Sequence, residues 1–128
     1  MKEIIATPDA PPALGPYAQA VKVENTIYIS GQLPLDPQGQ ASGRSAAAQT
    51  ERVLLNIQAI LGEGGATLED VVKVTIYLRD MDWFDDVNRT FAMFFRNLPP
   101  ARSTVEVARL PRDVLVEIEA IAVSTGEQ

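Results

Sequence analysis

The stretch Leu115 to Ser124, near the C-terminus, sets the tightest limit on the fold. Read as a strand, it places Val116, Ile118, Ala120 and Ala122 on one face and apolar Ile121 and Val123 on the other. A strand that is apolar on both faces needs cover on both sides. The rest of the chain supplies only two helices, enough for one face of a sheet this wide. Another copy of the chain is therefore expected to cover the second face, the alternative being a sheet that curls on itself.

The helices are read from periodicity. Ala46, Val53, Leu54, Ile57, Ile60 and Leu61 recur at three- and four-residue spacing, which predicts a helix over about Ser45 to Leu61 closed by Gly62, Gly64 and Gly65. A second is expected from Trp83 to Arg96, with Asp82 as N-cap and Phe84, Val87, Phe91 and Phe95 as its buried stripe, before Pro99-Pro100 stops it. Around them, Tyr17 to Val23 and Thr26 to Ser30 read as a hairpin turning at Glu24-Asn25. Thr7 to Pro16 and Leu33 to Gly43 are irregular, being rich in Pro and Gly. Val71 to Arg79 alternates, with Val72, Val74, Ile76 and Leu78 expected on one face and Lys73, Thr75 and Tyr77 on the other. Arg102 to Ala108 and the C-terminal strand, joined by a turn at Leu110 to Asp113, complete a two-layer α+β pattern with both helices on one sheet face.

Composition limits the chemistry. At 128 residues the chain fits one domain, 1–128, and its 46% hydrophobic and 22% charged residues are those of an ordinary globular protein. With no Cys, thiolate nucleophiles, zinc-thiolate sites and iron–sulfur clusters are excluded. With no His, Ser-His-Asp triads and the usual neutral-pH base are excluded as well, so proton chemistry falls to Asp, Glu, Lys or Tyr. Seventeen acidic against 11 basic residues give a net charge of −6, and the basic residues are scattered, which argues against a nucleic-acid partner. The longest apolar run, Phe91 to Phe95, is far too short for a membrane span, and the N-terminus lacks a signal-peptide pattern, so a cytoplasmic location is expected.

Few residues are left to carry chemistry. Arg102 opens a strand just after a double proline, where a guanidinium could grip a carboxylate through two parallel hydrogen bonds; an ordinary surface ion pair is the competing reading. Glu117 and Glu119 share one face of the last strand. Either they point outward, or one of them is buried enough to titrate near neutrality and act as a base. Tyr17 follows the constrained Gly15-Pro16 turn, and Gly31 permits close backbone approach at a strand end. Asn88 stands among the aromatics of the second helix, as a satisfied polar residue or as a ligand contact. Gly62 to Gly65 follows a helix and lacks a Lys-Ser/Thr ending, so it is not a phosphate loop.

Together, Ala13-Leu14-Gly15-Pro16-Tyr17-Ala18-Gln19-Ala20, Ile29-Ser30-Gly31-Gln32-Leu33-Pro34, Val87-Asn88, Pro100-Ala101-Arg102-Ser103 and Val116-Glu117-Ile118-Glu119-Ala120-Ile121-Ala122 resemble the RidA/YjgF family of 2-imino acid deaminases, in order and spacing. Thr104 stands where many members carry Cys. The resemblance implies a chorismate-mutase-like (bacillus-type) α+β fold: a mixed sheet with two helices on one face, assembled as a homotrimer with active sites between subunits. It also implies hydrolysis of reactive enamine and imine acids, such as 2-aminoacrylate and 2-iminobutanoate, to 2-keto acids and ammonia without metal or cofactor. By the resemblance Arg102 clamps the substrate carboxylate, Glu117 orients or deprotonates water, and Tyr17 joins them as a catalytic group, while Ser30, Gly31, Asn88 and Thr104 line the pocket. The expected partners are a small 2-imino or 2-keto acid and two further copies of the chain, with no membrane. The competing functions are a non-catalytic trimer that binds small carboxylates and, with less in its favour, an endoribonuclease or translation inhibitor.

Overall fold

A computed structural model of the chain describes residues 1–125. Strands β1 (Lys2–Ile5), β2 (Ala20–Val23) and β3 (Thr26–Gln32) precede helix α1 (Ala46–Glu63). Strand β4 (Val71–Leu78), helix α2 (Phe84–Phe94) and strands β5 (Ala101–Glu106) and β6 (Val116–Val123) follow. The six strands form one sheet in the order β1-β2-β3-β6-β4-β5. Every neighbouring pair is antiparallel except β4 and β5, which run parallel and are connected through α2. Both helices pack on the same face, so the architecture is α+β with two helices on a mixed sheet, as the sequence pattern and the resemblance imply.

The core follows from the two periodicities. On β6, Val116, Ile118, Ala120 and Ala122 are all buried, as are Val74, Ile76 and Leu78 on β4. Against them lie Val53, Leu54, Ile57, Ile60 and Leu61 of α1 and Val87 and Phe91 of α2. Each of the Val, Leu and Ile side chains stabilises the fold by about 1.5–3 kcal/mol relative to exposure. Helix α1 starts where Ser45 Oγ accepts the Ala48 N–H at 3.1 Å. It ends at Gly64, with Gly65 taking the left-handed φ of 81° that favours glycine.

The structure corrects the sequence reading at several places. Lys2–Ile5 forms an edge strand with a single buried side chain, Ile5, and so carries no legible alternation. Residues 17–19 stay outside β2, while β3 continues through Gly31 to Gln32. Val72 is 47% exposed, because the β4–β6 register shifts between Val71 and Lys73 and Val71 takes the inward place. Asp82 is not the N-cap of α2. Asp80 caps a short 3₁₀ turn over Met81–Trp83, accepting the Asp82 N–H, and α2 proper begins at Phe84. Phe84 does not join the buried stripe, being 38% exposed.

On the second face, Leu33, Leu35, Leu110 and Val114 pack against Tyr77 at one end, but among the described residues nothing covers the area around Tyr28, Ile121 and Val123. Tyr28 and Val123 are 47% and 43% exposed there, and Ile121 is half-buried beside them. Nor does the sheet curl closed, since β1 and β5 remain separate edges.

Candidate active site

Arg102 lies near the start of β5, on the edge of the sheet. Its register partner is Val74, which in turn pairs with Ala120, and both are buried under the helices. Paired residues project to the same side, so Arg102 faces α2. Its Nε donates to Thr104 Oγ1 at 3.1 Å and its Nη2 donates to Asn88 Oδ1 at 2.5 Å. The guanidinium carbon lies 5.0 Å from the Phe91 ring centre and 5.4 Å from that of Phe84. Phe84, Asn88 and Phe91 are spaced four and three apart on α2 and form one stripe under the arginine. Among the described residues Arg102 pairs with no carboxylate, and Nη1 is left with no protein acceptor. Burial against α2 pulls its pKa down from the usual arginine value. A half-buried cation held only by neutral groups is costly unless an anion completes the site.

Glu117 belongs to the opposite surface. Its register partner is Tyr77, on the face away from the helices with Thr75 and Glu119. Its carboxylate lies over the backbone of Gly31: a Cβ added there would come within 2.9 Å of Glu117 Cδ. Gly31 therefore serves close approach, and its φ is not in the left-handed region. Burial first, and then the charge of Glu119, raise the Glu117 pKa above the ordinary 4.5. No hydrogen bond or cation satisfies that carboxylate among the described residues.

Gly31 and Tyr17 line a small cavity of about 20 Å³ together with Leu33 and Leu35. Tyr17 is exposed, and its hydroxyl accepts the Leu14 N–H at 3.1 Å. Ser30 Oγ donates to Ala18 O at 2.6 Å, which fixes the irregular 13–19 segment against β3. The sequence-derived residues thus fall into two groups: Arg102, Asn88 and Thr104 on the helix side, and Tyr17, Ser30, Gly31 and Glu117 on the other. Within one chain the guanidinium and the Glu117 carboxylate project from opposite faces of the sheet.

Two residues that position the second group were not singled out from the sequence. Gln19, buried, accepts the Thr7 N–H at 2.8 Å and donates to Thr7 O and Pro11 O at 3.2 and 2.9 Å, fastening the proline-rich segment. Asn56, buried in α1, donates to Leu33 O and Leu35 O at 3.1 and 2.9 Å and fixes the chain after Gly31. A polar side chain amid an apolar pattern is the signal both offer, and Gln19 also lies in the Ala13–Ala20 segment that carries the family resemblance. Tyr77, facing Glu117, has its pKa raised by burial, then by Glu119 and Glu117. Among the described residues no three Asp or Glu side chains converge as a metal site, and no helix is long and apolar enough to cross a membrane.

The family model described as Endoribonuclease L-PSP matches residues 7–124. A RutC family protein of Pyrococcus abyssi is 52% identical over 122 residues, covering 94% of this chain and 96% of that protein. A protein of Escherichia coli K12 named 2-iminobutanoate/2-iminopropanoate deaminase is 46% identical over 126 residues, covering 96% and 98%. Among solved structures, the E. coli YjgF gene product superimposes with a TM-score of 0.90 at 47% identity, covering 94% of this chain and 98% of that one. E. coli TdcF with bound serine does so with a TM-score of 0.92 at 38% identity, covering 96% and 99%.

Proposed function

The chain belongs to the endoribonuclease L-PSP family, which includes RidA/YjgF proteins, and on that basis we propose that it hydrolyses small 2-imino acids to 2-keto acids and ammonia. The observation that carries this reading is the half-buried Arg102, held by neutral Asn88, Thr104, Phe84 and Phe91 and lacking a counter-ion among the described residues. A guanidinium so placed suits a planar carboxylate, which it binds through two parallel N–H donors. The relatives named as deaminases and the relative solved with serine, itself a small amino acid, support a ligand of this class.

Because Arg102 and Glu117 leave opposite faces of the sheet, one substrate meets both only in a cleft between two copies. We place the site there, in a homotrimer whose contact surface includes the uncovered face around Tyr28, Ile121 and Val123. In that cleft Arg102 fixes the carboxylate, so C2 of the protonated imine is presented to water. Glu117, with its raised pKa, accepts one proton as the water oxygen bonds to C2, giving a carbinolamine. Glu117 then returns that proton to nitrogen and takes the hydroxyl proton as the C2–N bond breaks and the carbonyl forms, passing it to the departing ammonia as ammonium. A protonated imine is already electrophilic, so orientation and one carboxylate supply what the step requires. Tyr17, Ser30 and Gly31 wall the Glu117 side, and Thr104 and Asn88 hold the arginine.

Release of keto acid from freshly generated 2-aminoacrylate tests the reading, with loss of turnover in Arg102→Ala as the expected result. Unchanged turnover in that variant would remove Arg102 from the mechanism. The non-catalytic alternative uses the same pocket, and binding of 2-oxobutanoate without imine hydrolysis would favour it. The family's description names an endoribonuclease, but a net charge of −6 and the lack of His give this chain little with which to bind or cleave RNA.

A further inference from the structure

We propose that Phe84 is a positioning residue for the carboxylate clamp: its ring sets the tilt of the Arg102 guanidinium and so tunes affinity for the anionic end of the substrate. This rests on the reading that Arg102 grips a carboxylate. Phe84 is 38% exposed and belongs to neither buried cluster, so core packing does not account for where it lies. Its ring centre lies 5.4 Å from Arg102 Cζ, in the range of a cation–π contact.

The surroundings show why a second ring is needed. Thr104 and Asn88 hold Nε and Nη2, but two hydrogen bonds still leave a long side chain free to rock about the line that joins them. Phe91 lies beneath the guanidinium from the far side of Asn88, 5.0 Å away. Phe84, one turn before Asn88, closes the other end of the stripe. The place of Phe84 is itself fixed: Glu106, at the end of the strand that carries Arg102, accepts the Met81 N–H at 2.8 Å and ties the start of α2 to β5. The arginine and the ring that orients it are thus mounted on elements joined to one another. Among the described residues Nη1 has no acceptor, which leaves that end of the fork for a carboxylate.

Calorimetric titration with 2-oxobutanoate, an unreactive carboxylate, tests this directly. Phe84→Leu keeps an apolar side chain but removes the ring. It should weaken binding by about five- to tenfold and raise KM with kcat nearly unchanged, with the melting temperature within about two degrees of wild type. Phe84→Tyr, which keeps a ring, should restore wild-type affinity, and Met93→Ala, an exposed change on the same helix, should leave it unaltered. Equal affinity in the wild type and Phe84→Leu would overturn the proposal while leaving the carboxylate clamp intact. If the wild type fails to bind 2-oxobutanoate, the clamp reading itself falls. The exchange rate of the Arg102 Nε–H, measured by NMR, then decides the positioning role: faster exchange in Phe84→Leu supports it, and an identical rate overturns it.

Discussion

Replacing Gly31 by Ala should separate activity from stability. The added Cβ enters space held by the Glu117 carboxylate, within 2.9 Å of Cδ and closer to Oε2. That obstacle is the far end of a flexible side chain, so Glu117 can swing away at a rotamer cost of about 0.5–1.5 kcal/mol. Gly31 does not sit at positive φ, so Ala fits the backbone and recovers about 0.4–1 kcal/mol by restricting the unfolded chain. The two terms nearly cancel, and a thermal melt should shift by no more than about five degrees. Turnover is another matter. A displaced general base forfeits a factor of roughly 10²–10⁴, so keto-acid release from 2-aminoacrylate should fall to the level of Glu117→Gln. The double variant should be no slower than either single one, because both remove the same carboxylate from the same place. Wild-type turnover in Gly31→Ala, or losses that multiply in the double variant, would refute the placement of Glu117 as base.

Other consequences follow from the same geometry. Gln19→Leu leaves the buried Thr7 N–H without its acceptor and should destabilise the fold by about 2 kcal/mol, read from urea denaturation; a change under about 0.5 kcal/mol would show that the proline-rich segment does not depend on Gln19. Because the folded-state pKa of Glu117 lies above 4.5, the native chain holds that proton more tightly than the unfolded chain. The resulting stability is fully present below pH 4.5 and is lost as pH rises through the raised value. Unfolding measured from about pH 4 to 8 should therefore show the wild type losing ground to Glu117→Gln as pH increases, whereas a constant gap would contradict the assignment. Ile121→Arg, on the uncovered face, should shift the assembly to smaller species in light scattering. A wild-type protein that is monomeric to begin with would remove the shared cleft.

Much of the fold was legible because it rests on patterns that packing cannot disregard. The doubly apolar β6 does lie inside the sheet, between β3 and β4, and the α1 stripe is buried as its spacing implies. What escaped were features with weak local signals. Strand β1 buries only Ile5, and the displacement of Val72 comes from a bulge set by pairing with β6, which no alternation rule reveals. Phe84 shares the period of Val87 and Phe91, and an apolar side chain that stacks on a cation has the same signature as one that enters the core. The candidate site residues could be named individually from the resemblance, but their division into two groups could not. That division depends on register: the parallel pairing of β4 with β5 turns Arg102 toward α2, and the antiparallel pairing of β4 with β6 turns Glu117 away from it.

Complementation between two inactive variants tests the shared site most directly. Arg102→Ala and Glu117→Gln, each without turnover alone, would be unfolded together in equal amounts and refolded so that their chains mix. If each site takes its arginine from one copy and its carboxylate from the next, half of the arginine positions and half of the carboxylate positions are intact at random. About one quarter of the wild-type activity should then return. A mixture as inactive as its parents would mean that both groups must come from a single chain, contrary to the opposite faces they occupy.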